Sequence, residues 1–108
     1  MLTETELLQL MGRDVLDGGG KTIGQAECFF NDKVTGKPEW IGVFTGTFRH
    51  HHYLVPVEGA VRENGAIRVP WTKEQVQEAP EYHAPEKGIS EAMESDAFRH
   101  YGLKSAAA

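Results

Sequence analysis

The sequence predicts a mostly β protein, a small six-stranded β-barrel with a short N-terminal helix, a short helix after the last strand and a C-terminal helix. Between Asp14 and Pro70, β-branched and aromatic residues come in short runs, as is typical of strands. Gly, Asn and Asp turn signals separate these runs at the spacing of a meander. Six short strands in about 60 residues would expose edges that invite pairing with another chain. Closure into a barrel would remove those edges.

The N-terminal helix is predicted from two local signals. Thr3 and Glu6 have the spacing of a capping box, and Leu2 and Leu7 have that of a hydrophobic staple. Because both signals fix the first turn of a helix, we expect one over residues 4–10.

The first four strands are predicted at residues 14–16, 22–30, 40–44 and 48–57. The apolar residues of the second strand change parity along its length, which a β-bulge near Glu27 would explain. The third strand is apolar on both faces and should lie at the centre of the sheet. The fourth should end near Pro56, which cannot donate a ladder hydrogen bond.

The last two strands flank Asn64-Gly65, and the loop length decides their register. A two-residue loop would set Val61 opposite Arg68. It would also set Arg62 opposite Ile67, so that charge meets apolar side chains twice. A three-residue loop over residues 63–65 sets Val61 opposite Ile67, and we predict this form. The predicted core consists of Ile23, Ile41, Val43, Leu54, Val55, Val61, Ile67 and Val69.

Helix signals return after Pro70. Thr72 and Gln75 form a second capping box before a short helix. Ser90 as N-cap and Gly102 at C′ bound a last helix. The predicted division is a domain over residues 1–78, a linker over 79–88, a helical extension over 89–103 and a tail over 104–108.

An apolar stripe on the last helix is the predicted protein-interaction surface. It consists of Met93, Ala97, Phe98, Tyr101 and Leu103. An isolated helix of about 11 residues is marginal in water, so the stripe must pack on its own barrel or on a second subunit. We expect a protein partner, and a homo-oligomer, with contact through this helix or an exposed barrel edge.

Composition and charge exclude several classes of function. A chain of 108 residues fits one domain, and a formal charge of −5 offers nucleic acid no basic footprint. The single cysteine cannot form an internal disulfide. No apolar run approaches the length of about 20 residues that spans a bilayer. We expect a cytoplasmic protein with no direct membrane insertion.

No motif predicts catalysis or a cofactor. Gly20-Lys21-Thr22 resembles the end of a phosphate-binding loop, but Val15 stands where that motif needs its first glycine. Cys28 lies in a predicted strand, where the role of a small buried apolar residue explains it. All three serines lie in the C-terminal segment, which argues against a catalytic triad. We therefore predict a protein that is not an enzyme and uses no cofactor.

The run from His50 to His52 offers an alternative chemistry. On a strand, His50 and His52 share one face and could bind one metal ion. No cysteine or carboxylate stands at ligand spacing, which favours a polar strand entrance beside Arg49. A small metal- or ligand-binding sensor stays open as a second hypothesis.

A series of short motifs between residues 8 and 78 is specific when the motifs are taken together. They are Met11-Gly12-Arg13-Asp14-Val15-Leu16-Asp17, Gly20-Lys21-Thr22-Ile23-Gly24, Asp32-Lys33-Val34-Thr35-Gly36-Lys37-Pro38-Glu39-Trp40, Thr45-Gly46, Tyr53-Leu54-Val55-Pro56-Val57, Ala60-Val61 and Ile67-Arg68-Val69-Pro70-Trp71-Thr72-Lys73-Glu74-Gln75-Val76. This ensemble resembles the PRC-barrel family. The family includes the cytoplasmic barrel of the photosynthetic reaction centre H subunit and the C-terminal domain of a ribosome maturation factor.

The resemblance implies a small β-barrel that serves as a binding or assembly module, with no catalytic residue to carry over. It also implies a third possibility, an accessory role in photosynthetic electron transfer or ribosome assembly. Our leading hypothesis is a non-enzymatic protein-interaction module of the PRC-barrel type.

Overall fold

The computed structural model describes residues 1–46 and 50–103, which form three helices and six strands. In chain order these are α1 (Glu4–Leu10), β1 (Asp14–Leu16), β2 (Thr22–Asn31), β3 (Pro38–Thr45), β4 (His51–Pro56), β5 (Val61–Glu63), β6 (Ala66–Arg68), α2 (Lys73–Gln77) and α3 (Glu91–Tyr101). The predicted mostly β class is confirmed. The predicted start of the fourth strand at Phe48 and the predicted tail lie outside the described residues. None of the described helices has the length and apolarity to cross a membrane.

All six strands belong to one mixed sheet in the order β4-β3-β2-β1-β6-β5. Neighbouring strands are antiparallel except β1 and β6, which run parallel. Among the described residues no ladder joins β4 to β5, so the sheet is not closed and the predicted barrel is not confirmed. The expectation of closure assumed that nothing else would cover the edges of the sheet.

The outer edge of β4 is covered by the chain itself. The amide of Leu54 donates to the carbonyl of Pro80 at 3.3 Å. Two residues further along, the amide of Tyr82 donates to the carbonyl of His52 at 3.0 Å. The segment predicted as a linker, residues 79–88, therefore begins as an extended strand-like stretch beside β4. Such cover protects an edge as closure would.

β3 lies between β2 and β4, in agreement with its apolar pattern. The four residues from Trp40 to Val43 are all buried, which places protein on both faces of this strand. The predicted bulge is also confirmed. In the ladder between β2 and β3 the register shifts between Ala26 and Cys28, which leaves Glu27 as the extra residue.

The β5–β6 hairpin has a two-residue loop, so the predicted three-residue loop is wrong. The register pairs Val61 with Arg68. Asn64 and Gly65 have φ values of 50° and 76°. Positive values at both central residues are what a type I′ turn requires, and the Asn-Gly pair adopts them at low cost.

The two pairings that argued against this register, Val61 with Arg68 and Arg62 with Ile67, lie at the edge of the sheet. Val61 is 52% exposed and does not belong to the core, whereas the other seven predicted core residues are buried. Arg68 donates to Glu63 at 3.0 Å, and Arg62 donates to Gln9 of α1 at 3.4 Å. Because water and polar partners surround these side chains, placing a charged residue opposite an apolar one costs little here.

The helix boundaries follow the predicted capping residues. Thr3 and Glu6 form the reciprocal capping box of α1. The hydroxyl of Thr72 accepts from the third amide of α2, and Ser90 does the same for α3. Gly102 ends α3 in the left-handed region at φ 67°, where glycine carries no Cβ penalty.

Residues 79–103, called here the C-terminal arm, pack on the sheet. Tyr82, Ala97, Phe98 and Tyr101 of the arm belong to the same hydrophobic core as the strands. The first half of the arm contains one turn of 3-10 helix at Pro85–Lys87. The arm therefore completes the fold by covering the face of β2, β3 and β4 on which Trp40 lies.

Candidate binding groove

The predicted interaction stripe on α3 lies mainly against the protein's own core. Ala97, Phe98 and Tyr101 are buried, and the Phe98 ring centroid is 4.9 Å from that of Trp40. The hydroxyl of Tyr101 donates to the carbonyl of Leu54 at 2.6 Å, and burial raises the pKa of this phenol. These three side chains are held within the domain. Their placement removes the need for a second subunit to cover the stripe.

Met93 and Leu103, the remaining residues of the stripe, are partly buried. Leu103 lines a groove that lies between the β2–β3 loop, residues 32–37, and α3. We call this the α3 groove. Its main basin has a volume of about 620 Å³, and a smaller basin of about 220 Å³ shares Asp32, Glu39, Phe98 and Leu103 with it. A cavity of this size is within the range of ligand pockets.

Hydrogen bonds within the β2–β3 loop fix one wall of the α3 groove. Oδ1 of Asp32 accepts from the amide of Val34 at 2.7 Å, and this bond lowers the pKa of the Asp32 carboxyl. The carbonyl of Asp32 accepts from the amide of Gly36 at 2.8 Å. Gly36 has φ 73°, a value that favours glycine. The loop presents Val34 at the rim, where this side chain is 73% exposed.

Glu39 lies inside the α3 groove, where burial raises the pKa of its carboxyl to about 8. The neighbouring acids Glu94 and Asp32 contribute to the same rise, because they hydrogen-bond to the protonated Glu39 carboxyl and because charge on either disfavours charge on Glu39. Oε1 of Glu39 is buried and has no hydrogen-bond partner among the described residues. The same holds for Nε1 of Trp40, which lines the smaller basin.

The α3 groove carries more acidic than basic side chains. Its main basin is lined by four acids, Asp32, Glu39, Glu91 and Glu94, and by two bases, Lys33 and Arg99. Arg99 lies 3.5 Å from the carboxylate of Asp96, one turn away on α3. The ion pairs found among the described residues include none to Glu39 or Glu94. The groove is therefore an acidic recess with an apolar floor.

The histidine run gives a different polar cluster. His50 and His52 lie on one face of β4 and its approach, as predicted, and both rings pack on Phe44, at 5.0 Å and 5.3 Å between centroids. Nδ1 of His52 is hydrogen-bonded to Glu27, the bulged residue of β2. In the part of the chain that the structure describes, no three His, Cys, Asp or Glu side chains are placed to hold a metal ion.

Tyr82 links the C-terminal arm to this histidine cluster. Its hydroxyl donates to Glu27, and the thiol of Cys28 lies 3.5 Å from the same hydroxyl. Burial raises the pKa of the Cys28 thiol, so the thiolate needed for nucleophilic chemistry is disfavoured. The thiol packs against the core, in keeping with the apolar role expected for it.

Sequence reasoning missed the acids of the α3 groove and the role of Tyr82. Each of these acids has a local role that hides its part in the groove, since Asp32 accepts from the amide of Val34 within the β2–β3 loop and Glu94 lies in the first turn of α3. Nothing in the sequence around Glu39 marks it as half-buried beside two other acids. Their proximity depends on how α3 packs over the end of β3, a contact between residues more than fifty positions apart.

Comparison of the sequence with models of known protein families, and with curated proteins, finds no match.

Proposed function

We propose that this protein is a non-enzymatic protein-interaction module of the PRC-barrel type that binds a partner in the α3 groove. The observation that carries the proposal is the groove itself, a recess with an apolar floor at Phe98 and Leu103 and an exposed Val34 at its rim. Exposed apolar side chains beside a recess are typical of interaction sites. A cytoplasmic location belongs to the same proposal.

The PRC-barrel assignment is supported by the strand pairing. The first strand pairs with the last, β1 with β6. A closed six-stranded barrel would add a single ladder to the observed sheet, between β4 and β5. The barrel that the motif resemblance implies therefore differs from the observed sheet by that ladder alone.

The geometry gives less support to the two other predicted roles. The hypothesis of a histidine sensor uses His50 and His52, which lie on one face, but Nδ1 of His52 is already hydrogen-bonded to Glu27. Among the described residues, no third ligand lies close to the two histidines. The homo-oligomer stays a prediction. Its main argument was that a second subunit could cover the apolar stripe of α3, whereas the sheet of the same chain buries Ala97, Phe98 and Tyr101 of that stripe.

The proposed function is tested with two matched valine variants. Val34→Ser removes an apolar side chain from the groove rim without adding a charge, and Val61→Ser makes the same change on the exposed β5 edge. Partners captured by the wild-type protein are purified, and their Kd values for wild type and both variants are measured by calorimetry. We expect Val34→Ser to weaken binding by about tenfold, equivalent to about 1.4 kcal/mol, with Val61→Ser close to wild type.

The same measurements can contradict the proposal. A purified partner that binds wild type and Val34→Ser equally, but loses affinity for Val61→Ser, would move the binding surface to the β5 edge. Light scattering on the wild-type protein shows whether such a partner is a second copy of this chain.

A further inference from the structure

We infer that the α3 groove binds a peptide segment that places a cationic side chain beside Glu39 and Glu94 and an apolar side chain over Phe98 and Leu103. This inference rests on the proposed function and names the chemistry of the partner. A second copy of this chain is disfavoured, because the chain has a formal charge of −5 and the groove is itself acidic.

Charge is the first argument for a cationic ligand. The main basin has four acids against two bases, and the ion pairs among the described residues leave Glu39 and Glu94 without a cation. A guanidinium or ammonium group entering the basin would pair with Glu94 and with Glu39, whose proton affinity the two neighbouring acids now raise. Such charge-assisted hydrogen bonds are the strong class in partly buried sites.

Two unpartnered polar atoms are the second argument. Oε1 of Glu39 needs a donor, and Nε1 of Trp40 needs an acceptor. Trp40 is 1% exposed, so its indole N–H is removed from bulk water, where an unpaired donor is costly. Glu39 lines both basins and Trp40 lines the smaller one, so a peptide in the groove would bring its donors and its backbone carbonyls beside these two side chains.

The apolar floor is the third argument, and it separates a peptide from a free cation. Phe98 and Leu103 line both basins, and a small inorganic cation would leave that floor uncovered. A leucine-sized side chain that covers this floor leaves water, which favours binding. The groove therefore favours a segment that combines one basic and one apolar side chain.

The test uses a fluorescent decapeptide that contains leucine and arginine, and two matched peptides. In one, citrulline replaces arginine, which keeps the shape and removes the charge. In the other, serine replaces leucine. Fluorescence anisotropy with the full chain gives the Kd of each, and we expect each replacement to weaken binding by about tenfold or more.

Matched variants connect the affinity to the groove. The double variant Glu39→Gln, Glu94→Gln should bind the arginine peptide about tenfold more weakly and the citrulline peptide unchanged. The control Glu4→Gln, Glu74→Gln, with acids in the first turns of α1 and α2, should match wild type. Val34→Ser, which adds no charge, reports on the groove independently of these acids.

The pH dependence of binding separates direct contact with the cation from a structural role of Glu39. If Glu39 only stabilised the fold, its ionisation would not change the affinity for the arginine peptide. A cation beside Glu39 favours its ionised form, so binding releases a proton when Glu39 starts out protonated. The charged groups that line the two basins with Glu39 are Asp32, Lys33, Lys37, Glu58, Glu91, Glu94 and Arg99, and Met1, which carries the N-terminal amine, also lines the smaller basin. We expect the affinity for the arginine peptide to rise roughly tenfold from about pH 6.5 to about pH 8.5, and to stay flat in Glu39→Gln.

The outcomes distinguish the two proposals. If all three peptides bind equally and lose affinity for Val34→Ser, the groove is a docking site but the cationic partner is wrong. If no peptide shows binding that depends on Val34, the peptide inference is wrong, and the measurements on captured partners with Val34→Ser and Val61→Ser decide the proposed function separately. Titration with calcium chloride should give no saturable response. If calcium binds saturably and Glu94→Gln abolishes that binding, the ligand of the groove is a metal ion and the peptide inference is wrong.

Discussion

Glu39 lines the α3 groove beside Asp32 and Glu94, and its surroundings change its chemistry. Its usual pKa is 4.5, and burial with these two neighbours raises it to about 8. The folded protein therefore holds a proton at Glu39 over a pH range in which the unfolded chain has released it. By linkage, that proton makes folding depend on pH.

We expect part of the stability of the protein to be lost as pH rises from about 4.5 to about 8. In this window the folded state binds more protons at Glu39 than the unfolded state, so the free energy of unfolding falls with pH. Below the window the contribution is fully present, and above it the loss is complete. Glu39→Gln is neutral at every pH and should lack this slope.

Urea unfolding at several pH values between about 4 and 9 checks this expectation. Glu4→Gln, which removes an acid from the first turn of α1, is the matched control and should retain the wild-type slope. A Glu39→Gln variant that keeps the full wild-type slope would show that Glu39 is not the residue responsible.

At the scale of the elements, the contact between the C-terminal arm and β3 depends on one glycine. A Cβ added at Gly42 would lie 2.5 Å from Sγ of Cys28 and 2.7 Å from Cζ of Tyr82. Neither atom is the free end of a flexible chain, since the ring of Tyr82 is buried and its hydroxyl donates to Glu27. The close approach of the ring to β3 therefore requires glycine at this position.

We expect Gly42→Ala to destabilise the protein by about 1–3 kcal/mol, the usual cost of overpacking a core site. Gly19→Ala is the control, because its Cβ would meet nothing closer than 3.5 Å. In a Tyr82→Ala background the cost of Gly42→Ala should shrink, since the clashing ring is gone. Urea midpoints of the four variants measure this, and an undiminished cost in that background would assign the strain to Cys28.

Local elements were predictable from sequence, and contacts between distant elements were not. The capping residues Thr3 and Ser90 and the bulge at Glu27 were predicted correctly, since each depends on a few neighbouring residues. The hairpin register was missed because edge exposure of Val61 is a property of the whole sheet. The pairing of residues 80–82 with β4, and the acids of the α3 groove, depend on long-range packing that periodicity does not report.

At the scale of the whole molecule, the C-terminal arm supplies one side of the hydrophobic core. Trp40 of β3 is 1% exposed, and the rings of Phe98 and Tyr101 pack on it. Leu54 of β4 is fully buried and its carbonyl accepts from Tyr101. Without the arm, the face of the sheet that carries Trp40 and Leu54 would meet water.

We expect a chain truncated after residue 78 to aggregate, because an exposed apolar face of a sheet with an open edge associates with other copies. A chain truncated after residue 103 is the control and should remain monodisperse. Light scattering and circular dichroism of both proteins measure the outcome. A monodisperse, folded chain of residues 1–78 would show that the arm is an appendage to a self-sufficient domain.

The cover on the edge of β4 has a consequence for the order of folding. Residues 80–82 leave the ribosome after every strand of the sheet, so the hydrogen-bonding groups of β4 that they satisfy stay open during synthesis. Over that interval the nascent sheet is most exposed to chaperones and to misassembly with neighbouring chains. The edge of β4 is thus shielded only after all six strands have been synthesised.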